Sequence, residues 1–302
     1  MERDDQVRAV HRMQQYIETH LREPITLSQL AKAANYSPFH AERMFKELTG
    51  RNPFDYIRSF RLSQAALELR DGDRRVVDAA FDYVFDSHEG FTKAFSRTFG
   101  LSPSRYSATR PAIGLFIPWD VRAYHEYLAK GEEPMKKTEK KAFVFVQIVE
   151  RPSRKVLLRR GKAAKEYFQY CEEVGCDVWG VLQSVKEALY EPIGMWLPAK
   201  LIRPGTSEYV QGVEVPLDYD KPLPEGYELV EMEPCRMMVF QGQPYDDADF
   251  EKEVLAIMDE VDKFDPSVYG YQWADEEAPR FQLAPMGYRG YIEARPVKPL
   301  AK

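Results

Sequence analysis

The chain is poor in the residues on which catalytic and metal chemistry most often rests. It has five histidines in 302 residues, and all of them (His11, His20, His40, His88 and His125) precede residue 142. No histidine-based triad or metal cluster can therefore be built within the C-terminal half alone. Cysteine is equally scarce. Cys171, Cys176 and Cys235 are odd in number and lack a C-x-x-C spacing, which reads as free thiols in a reducing compartment. Neither a phosphate-cradling P-loop nor a G-x-G-x-x-G is present. No apolar run approaches the roughly 18 residues that a membrane span needs. The opening MERDDQVRAV is too charged for a secretory leader. These absences lead to the expectation of a cytoplasmic protein that uses no cofactor or metal, touches no membrane and is not an enzyme.

What is present is enough apolar residue, 44% with 13% aromatic, to build real cores, in a chain long enough for two or three domains. The net charge of −6 is unevenly spread. Residues 1–110 carry 17 Lys and Arg against 15 Asp and Glu, while the remainder carries 25 against 33. The acidic remainder is a poor candidate for nucleic-acid contact, and a basic patch within the first part matters more than the total.

The first third is written twice. Ser37, Phe45, Gly50, Pro53 and Tyr56 recur fifty residues on as Ser87, Phe95, Gly100, Pro103 and Tyr106. Val7, Val10, Met13, Tyr16 or Ile17, and Leu21 form one helical stripe that Pro24 stops. Thr26 caps LSQLAKAA, and Ser37 caps a helix with Pro38 in its first turn and Ala41, Met44, Phe45 and Leu48 inward. A longer helix runs from about Phe54 to Leu69, and DGD at 71–73 breaks it. The second copy repeats the pattern, with Phe91, Ala94, Phe95, Thr98 and Phe99 inward. Each copy is thus a helix-turn-helix, and two on one chain can read two stretches of major groove.

The two Ser-capped helices leave matching faces outward. Phe39, Glu42, Arg43 and Lys46 share one, and His88, Glu89, Thr92, Lys93 and Arg97 the other, with Arg43 and Lys93 equivalent. Arg and Lys donate to guanine, Glu accepts from cytosine, and an exposed Phe suits a thymine methyl. The helix starts at Ser37 and Ser87, together with Arg58, Arg61 and Arg97, are candidate phosphate contacts.

Residues 6–107 resemble the DNA-binding domain of the AraC/XylS regulators. The resemblance rests on YIETHLREPITLSQLAKAANYSPFHAERMFKELTGRNPFDYIRSFRLSQAALEL and FDSHEGFTKAFSRTFGLSPSRY. It implies an all-α, seven-helix bipartite domain over 1–110, with Phe39, Glu42 and Arg43, then His88, Glu89, Thr92 and Lys93, as base readers. Double-stranded promoter DNA and RNA polymerase are the implied partners. Val84 stands where the family usually has Gly, so a slightly different turn is expected there.

Residues 111–141 read as a linker, from Pro111 to the polar run GEEPMKKTEKK, although Trp119 and Tyr124 suggest that its middle packs on something. Residues 142–302 read as two strand–strand–helix–strand–strand halves, an α+β domain with pseudo-two-fold symmetry. Pro152 and Arg154 recur as Pro234 and Arg236. Trp179, Trp196, Trp273, Tyr209, Tyr271, Tyr288 and Tyr291 suit either a core or the wall of a ligand cavity. Glu214 and Glu293 read as equivalent strand positions, either solvated or facing such a cavity.

This half resembles the GyrI-like effector-binding domain through YVQGVEVP, ERPSRKVLLRRG and YIEARPVKP. That implies an aromatic pocket for an amphipathic small-molecule effector, with Trp196, Tyr209, Glu214, Trp273, Gln282, Tyr291 and Glu293 as candidates. Gln282 stands where an acidic residue is usual. A DNA-binding regulator that senses a small molecule is the expected function. A hydrolase of reactive small molecules, or a C-terminal protein-docking module, is the alternative.

Overall fold

The computed structural model describes residues 3–72, 74–130, 143–175, 177–246 and 249–300. Cys176 and residues 131–141 of the expected linker lie outside them. The chain divides into two compact units: Met1–Glu132 with Ser184–Lys186, and Glu133–Gln183 with Glu187–Lys302.

The first unit is all helical: α1 (Arg3–Thr19), α2 (Leu27–Ala34), α3 (Pro38–Thr49), α4 (Pro53–Asp71), α5 (Val76–Asp82), α6 (His88–Phe99), α7 (Pro103–Thr109) and α8 (Val121–Lys130). Local chemistry sets most of its boundaries. Thr26 and Gln29 form a reciprocal capping box at the start of α2. The Ser37 and Ser87 hydroxyls accept from the third backbone N–H of α3 and α6. Both helices end in a left-handed glycine, Gly50 (φ 71°) and Gly100 (φ 76°). The repeat survives in the packing. Phe45 meets Tyr56 with ring centroids 5.1 Å apart, and their counterparts Phe95 and Tyr106 meet at 5.7 Å.

The turn at Val84 differs from the expectation. It is not an altered turn but the one that follows α2. Tyr36 N donates to Ala31 O at 3.0 Å, and Phe85 N to Ala80 O at 3.1 Å. Asn35 (φ 61°) and Val84 (φ 60°) both take the left-handed conformation. Asparagine tolerates it; a β-branched residue there is strained.

Residues 111–130 pack as part of the first unit rather than as a linker. Ile113, Leu115 and Val121 are buried in its core. Phe116 lies edge-on to Tyr56 at 4.8 Å. Gln14 donates to Trp119 O and accepts from Val121 N, so α1 holds the entry to α8.

The second unit is built on β1 (Val144–Arg151), β2 (Arg154–Arg160), α9 (Tyr167–Val174), α10 (Val178–Ser184), β3 (Ile193–Trp196), β4 (Tyr209–Val215), β5 (Tyr227–Met232), β6 (Cys235–Gly242), α11 (Phe250–Lys263), β7 (Tyr271–Trp273), β8 (Arg280–Leu283) and β9 (Ile292–Pro299). Its strands form an antiparallel sheet in the order β1-β6-β9-β8-β3-β4-β2-β5, with β7 paired to β9. The order reads the same from both ends about the β8–β3 pair once the halves are exchanged. The first strand of each half sits beside the second strand of the other: β1 on β6, and β5 on β2. This exchange merges the halves into one sheet. One face carries Val156, Leu158, Met195, Met237 and Phe281. The other packs Met238, Phe240 and Tyr291 against Ile257 and Val261 of α11. The result is the α+β architecture read from the sequence.

Candidate functional site

The outward face of α3 is polar except at its tip. Phe39 is 72% exposed beside the capped end of the helix. Arg43 lies 3.3 Å from Glu47, one turn on. Glu42 is half-buried and accepts from Asn52 Nδ2 at 3.0 Å, which ties the face of α3 to the cap of α4. On α6, His88, Glu89, Lys93 and Arg97 are exposed. Arg97 stands where α3 has Glu47, so the cation on α6 has a second cation beside it where Arg43 has an acid. Lys46, Arg51, Asn52, Asp55, Arg58 and Thr98 line an open groove of about 480 Å³ running from α3 and α4 to the end of α6.

Three expectations change here. Arg61 is not free for a phosphate: its guanidinium donates to Leu21 O at 2.9 Å and Glu23 O at 2.6 Å, and burial lowers its pKa. Thr92 does not stand clear of the surface. It sits roughly 100° round α6 from Phe91, on the seam of the buried stripe, and its hydroxyl is buried without a hydrogen-bond partner among the described residues. Thr98, expected inward, is exposed and lines the groove. The Ser37 and Ser87 hydroxyls are occupied as caps, receiving His40 N at 3.4 Å and Gly90 N at 3.1 Å.

In the second unit the strand register assembles a buried polar row. Residues paired across neighbouring strands share a face. Gln211 pairs with Gly194, Gly194 with Gln282, and Gln282 with Glu293. The row thus crosses β4, β3, β8 and β9, with Gly194 and Gln282 at the pseudo-two-fold axis. Gln282 Nε2 donates to Tyr209 Oη at 3.3 Å, and Tyr291 Oη donates to Gln282 Oε1 at 2.7 Å. Tyr291 Oη also lies 3.1 Å from Glu293 Oε2, and Arg280 Nε holds Glu293 Oε1. Tyr209 reaches across Gly194, where any Cβ would collide with its hydroxyl. Trp196 closes the row from outside, edge-on to Tyr209 at 5.3 Å and under the Arg280 guanidinium at 5.4 Å.

Burial governs the proton affinities of this cluster. It pushes the Tyr209 and Tyr291 phenols well up. It also raises the Glu293 carboxyl, against the opposing pull of Arg280 and Tyr291. The phenols therefore stay protonated and act as hydrogen-bond donors or acceptors.

Five of the seven expected pocket residues meet here: Trp196, Tyr209, Gln282, Tyr291 and Glu293. Glu214 and Trp273 do not. Glu214 lies three residues beyond Gln211 on β4, which puts it on the opposite face of the sheet. Its carboxylate is buried between Arg151 and Arg154, each at 2.5 Å. The strand position equivalent to Glu293 is therefore Gln211, not Glu214. Trp273 packs on Arg295 at 4.2 Å and on Phe240. Sequence patterning does not single out Gly194, Gln211 or Arg280. Setting YVQGVEV against YIEARPV, both opening on Tyr, carries the signal for Gln211, whereas Arg280 needs the register of β8.

Comparison with known proteins supports the reading of the first unit. A family model described as a helix-turn-helix domain matches residues 30–109. The right origin-binding protein of Escherichia coli (strain K12) is 40% identical over 137 residues, 43% of this chain and 47% of that protein. The chain thus spans about half the length of that relative. The regulatory protein SoxS of the same organism is 37% identical over 91 residues, 30% of this chain and 85% of SoxS. The structure of the DNA-binding domain of AdpA in complex with a target DNA is 29% identical, covering 33% of this chain and 90% of that chain with a TM-score of 0.32. Among the described residues no helix is long and apolar enough to cross a membrane. With both helix-turn-helix units in place and most of SoxS matched, the chain belongs to the AraC-type family of DNA-binding transcription regulators.

Proposed function

We propose that this chain is a ligand-responsive transcription regulator. Its first unit reads promoter DNA through α3 and α6, and residues 142–302 form a GyrI-like domain that senses a small molecule. The observation that carries the DNA-reading part is the doubled helix-turn-helix, with exposed cations at equivalent positions, Arg43 and Lys93. Phe39, Glu42, His88 and Glu89 join them at base edges. Lys46, Arg58 and Arg97 contact phosphates from the groove and the end of α6, and RNA polymerase is the partner at the promoter. The effector part is supported by the pseudo-two-fold polar row walled by Trp196, Tyr209 and Tyr291. Row and wall combine aromatic faces with a few convergent polar groups, as ligand sites do.

Selection of duplexes by the full chain, followed by titration at several salt concentrations, tests the first part. Binding is expected to weaken about 10³–10⁵-fold between roughly 50 and 200 mM salt, the loss set by about 6–10 phosphate contacts. Binding that ignores both sequence and salt would refute it.

A further inference from the structure

The charges in the polar row specify the kind of molecule that the row accepts. Glu293 is 0% exposed; Arg280 holds one of its oxygens, and the other lies 3.1 Å from Tyr291 Oη, whose single hydrogen is shared with the closer Gln282 Oε1. Arg280 also donates to Asp262 at 3.1 Å and lies over the Trp196 indole. The row's carboxylate is therefore already matched by a resident cation. Both ends of the Gln282 amide are likewise taken by Tyr209 and Tyr291. Gln211 is different. It is 1% exposed, and its Nε2 is buried with no hydrogen-bond partner among the described residues. A buried N–H left unmade is costly, and an acceptor supplied from outside recovers that cost. The neighbour of Gln211 in the row is Gly194, and the Tyr209 hydroxyl lies over it where a side chain would be.

We propose that the second unit selects a neutral aromatic ligand bearing a hydrogen-bond acceptor over a cation of the same shape: Arg280 leaves no free carboxylate to attract positive charge, and Gln211 Nε2 donates to the acceptor. The assignment rests on reading this row as the effector site. A cation entering beside Arg280 gains no free carboxylate, since Arg280 already pairs with Glu293 and Asp262, and it gives up its own hydration to enter. A carbonyl or phosphoryl oxygen that reaches Gln211 meets an unused donor, and Trp196, partly exposed and edge-on to the buried Tyr209, offers an aromatic face beside it.

Calorimetric titration of the full chain with two probes of matched shape tests this. Triphenylphosphine oxide is neutral and carries a phosphoryl acceptor; methyltriphenylphosphonium is a cation. The unmodified chain is expected to bind the oxide about tenfold or more tighter than the cation. Arg280→Gln leaves Glu293 without its cation and shifts the ratio toward the phosphonium by about tenfold, whereas Arg280→Lys keeps the original preference. Gln211→Leu weakens the oxide about tenfold and spares the phosphonium, which covers the case in which Arg280→Gln fails to fold. A preference of the unmodified chain for the cation overturns the assignment, as does an oxide affinity indifferent to Gln211→Leu. Binding of neither probe to the unmodified chain, or binding of both unmoved by all three substitutions, overturns the effector-site reading itself.

Discussion

Tyr209 and Tyr291 stand at equivalent strand positions, and their hydroxyls meet the two ends of one amide, that of Gln282. The amide lies on the pseudo-two-fold axis and breaks its symmetry, because one end donates and the other accepts. The opposite partner on the axis is Gly194, whose missing side chain gives Tyr209 its path. Duplication therefore supplies two tyrosines, and the Gly194/Gln282 difference makes them unequal.

Gly194→Ala is expected to destabilise the second unit by about 1–3 kcal/mol, the usual penalty of overpacking a close-packed interior. The added Cβ collides with the Tyr209 hydroxyl. Urea unfolding followed by tryptophan fluorescence measures it, and an unchanged midpoint would show that Tyr209 moves aside freely.

Val84→Gly should stabilise the first unit by about 1 kcal/mol, the left-handed strain released less the extra freedom gained by the unfolded chain. Val84→Asn, matching Asn35, should lie between the two. Thermal melts of the three proteins give the order directly.

Tyr56 and Tyr106 are repeat equivalents with unequal hydroxyls. Tyr56 Oη accepts from Gln14 Nε2 at 3.1 Å, while Tyr106 Oη is buried without a partner among the described residues and its pKa is pushed up to about 12 by burial. Tyr56→Phe is expected to cost about 1 kcal/mol, and Tyr106→Phe to be neutral or stabilising. Equal losses in a denaturation series would contradict the asymmetry.

Burial raises the Glu293 pKa above its ordinary 4.5. Between 4.5 and the raised value the folded chain keeps a proton that the unfolded chain has released. Stability from this group is therefore highest below 4.5 and falls as pH rises through that window. Glu293→Gln should remove that portion of the slope. Denaturation midpoints of the two proteins, followed from acid to neutral pH, report it; parallel curves would remove Glu293 as the source.

Arg43→Ala and Lys93→Ala should each relax base preference at one half of the bound site, at about 1–3 kcal/mol per lost base contact. Arg61→Ala should instead lower the melting temperature, since its guanidinium bonds Leu21 O and Glu23 O. Selection from random duplexes with each variant separates these roles. An unaltered motif for Arg43→Ala would remove it from the base-reading set.

The sequence by itself determined the local structure and the identity of the first unit. Caps, stops and the fifty-residue repeat are near-neighbour effects: Thr26 with Gln29, Ser37 with His40, and Gly50 closing α3. Helical periodicity named Phe45, Phe91 and Phe95 as core for the same reason. The order of strands and helices in the second unit was legible too, apart from α10 and β7, which the pattern did not mark. What the tertiary structure decided is everything set by register. A strand changes face with every residue, so an alignment off by three, an odd number, separates Glu214, which goes to Arg151 and Arg154, from Gln211, which joins the row with Glu293. The exchange of β1 and β5 between halves, and the capture of Glu293 by Arg280, join residues distant in sequence or on separate strands that no local pattern connects. Arg61 and Thr92 differ for a related reason. Periodicity assigns each a side of its helix, but only the neighbouring elements determine whether that side meets solvent, a carbonyl or the core.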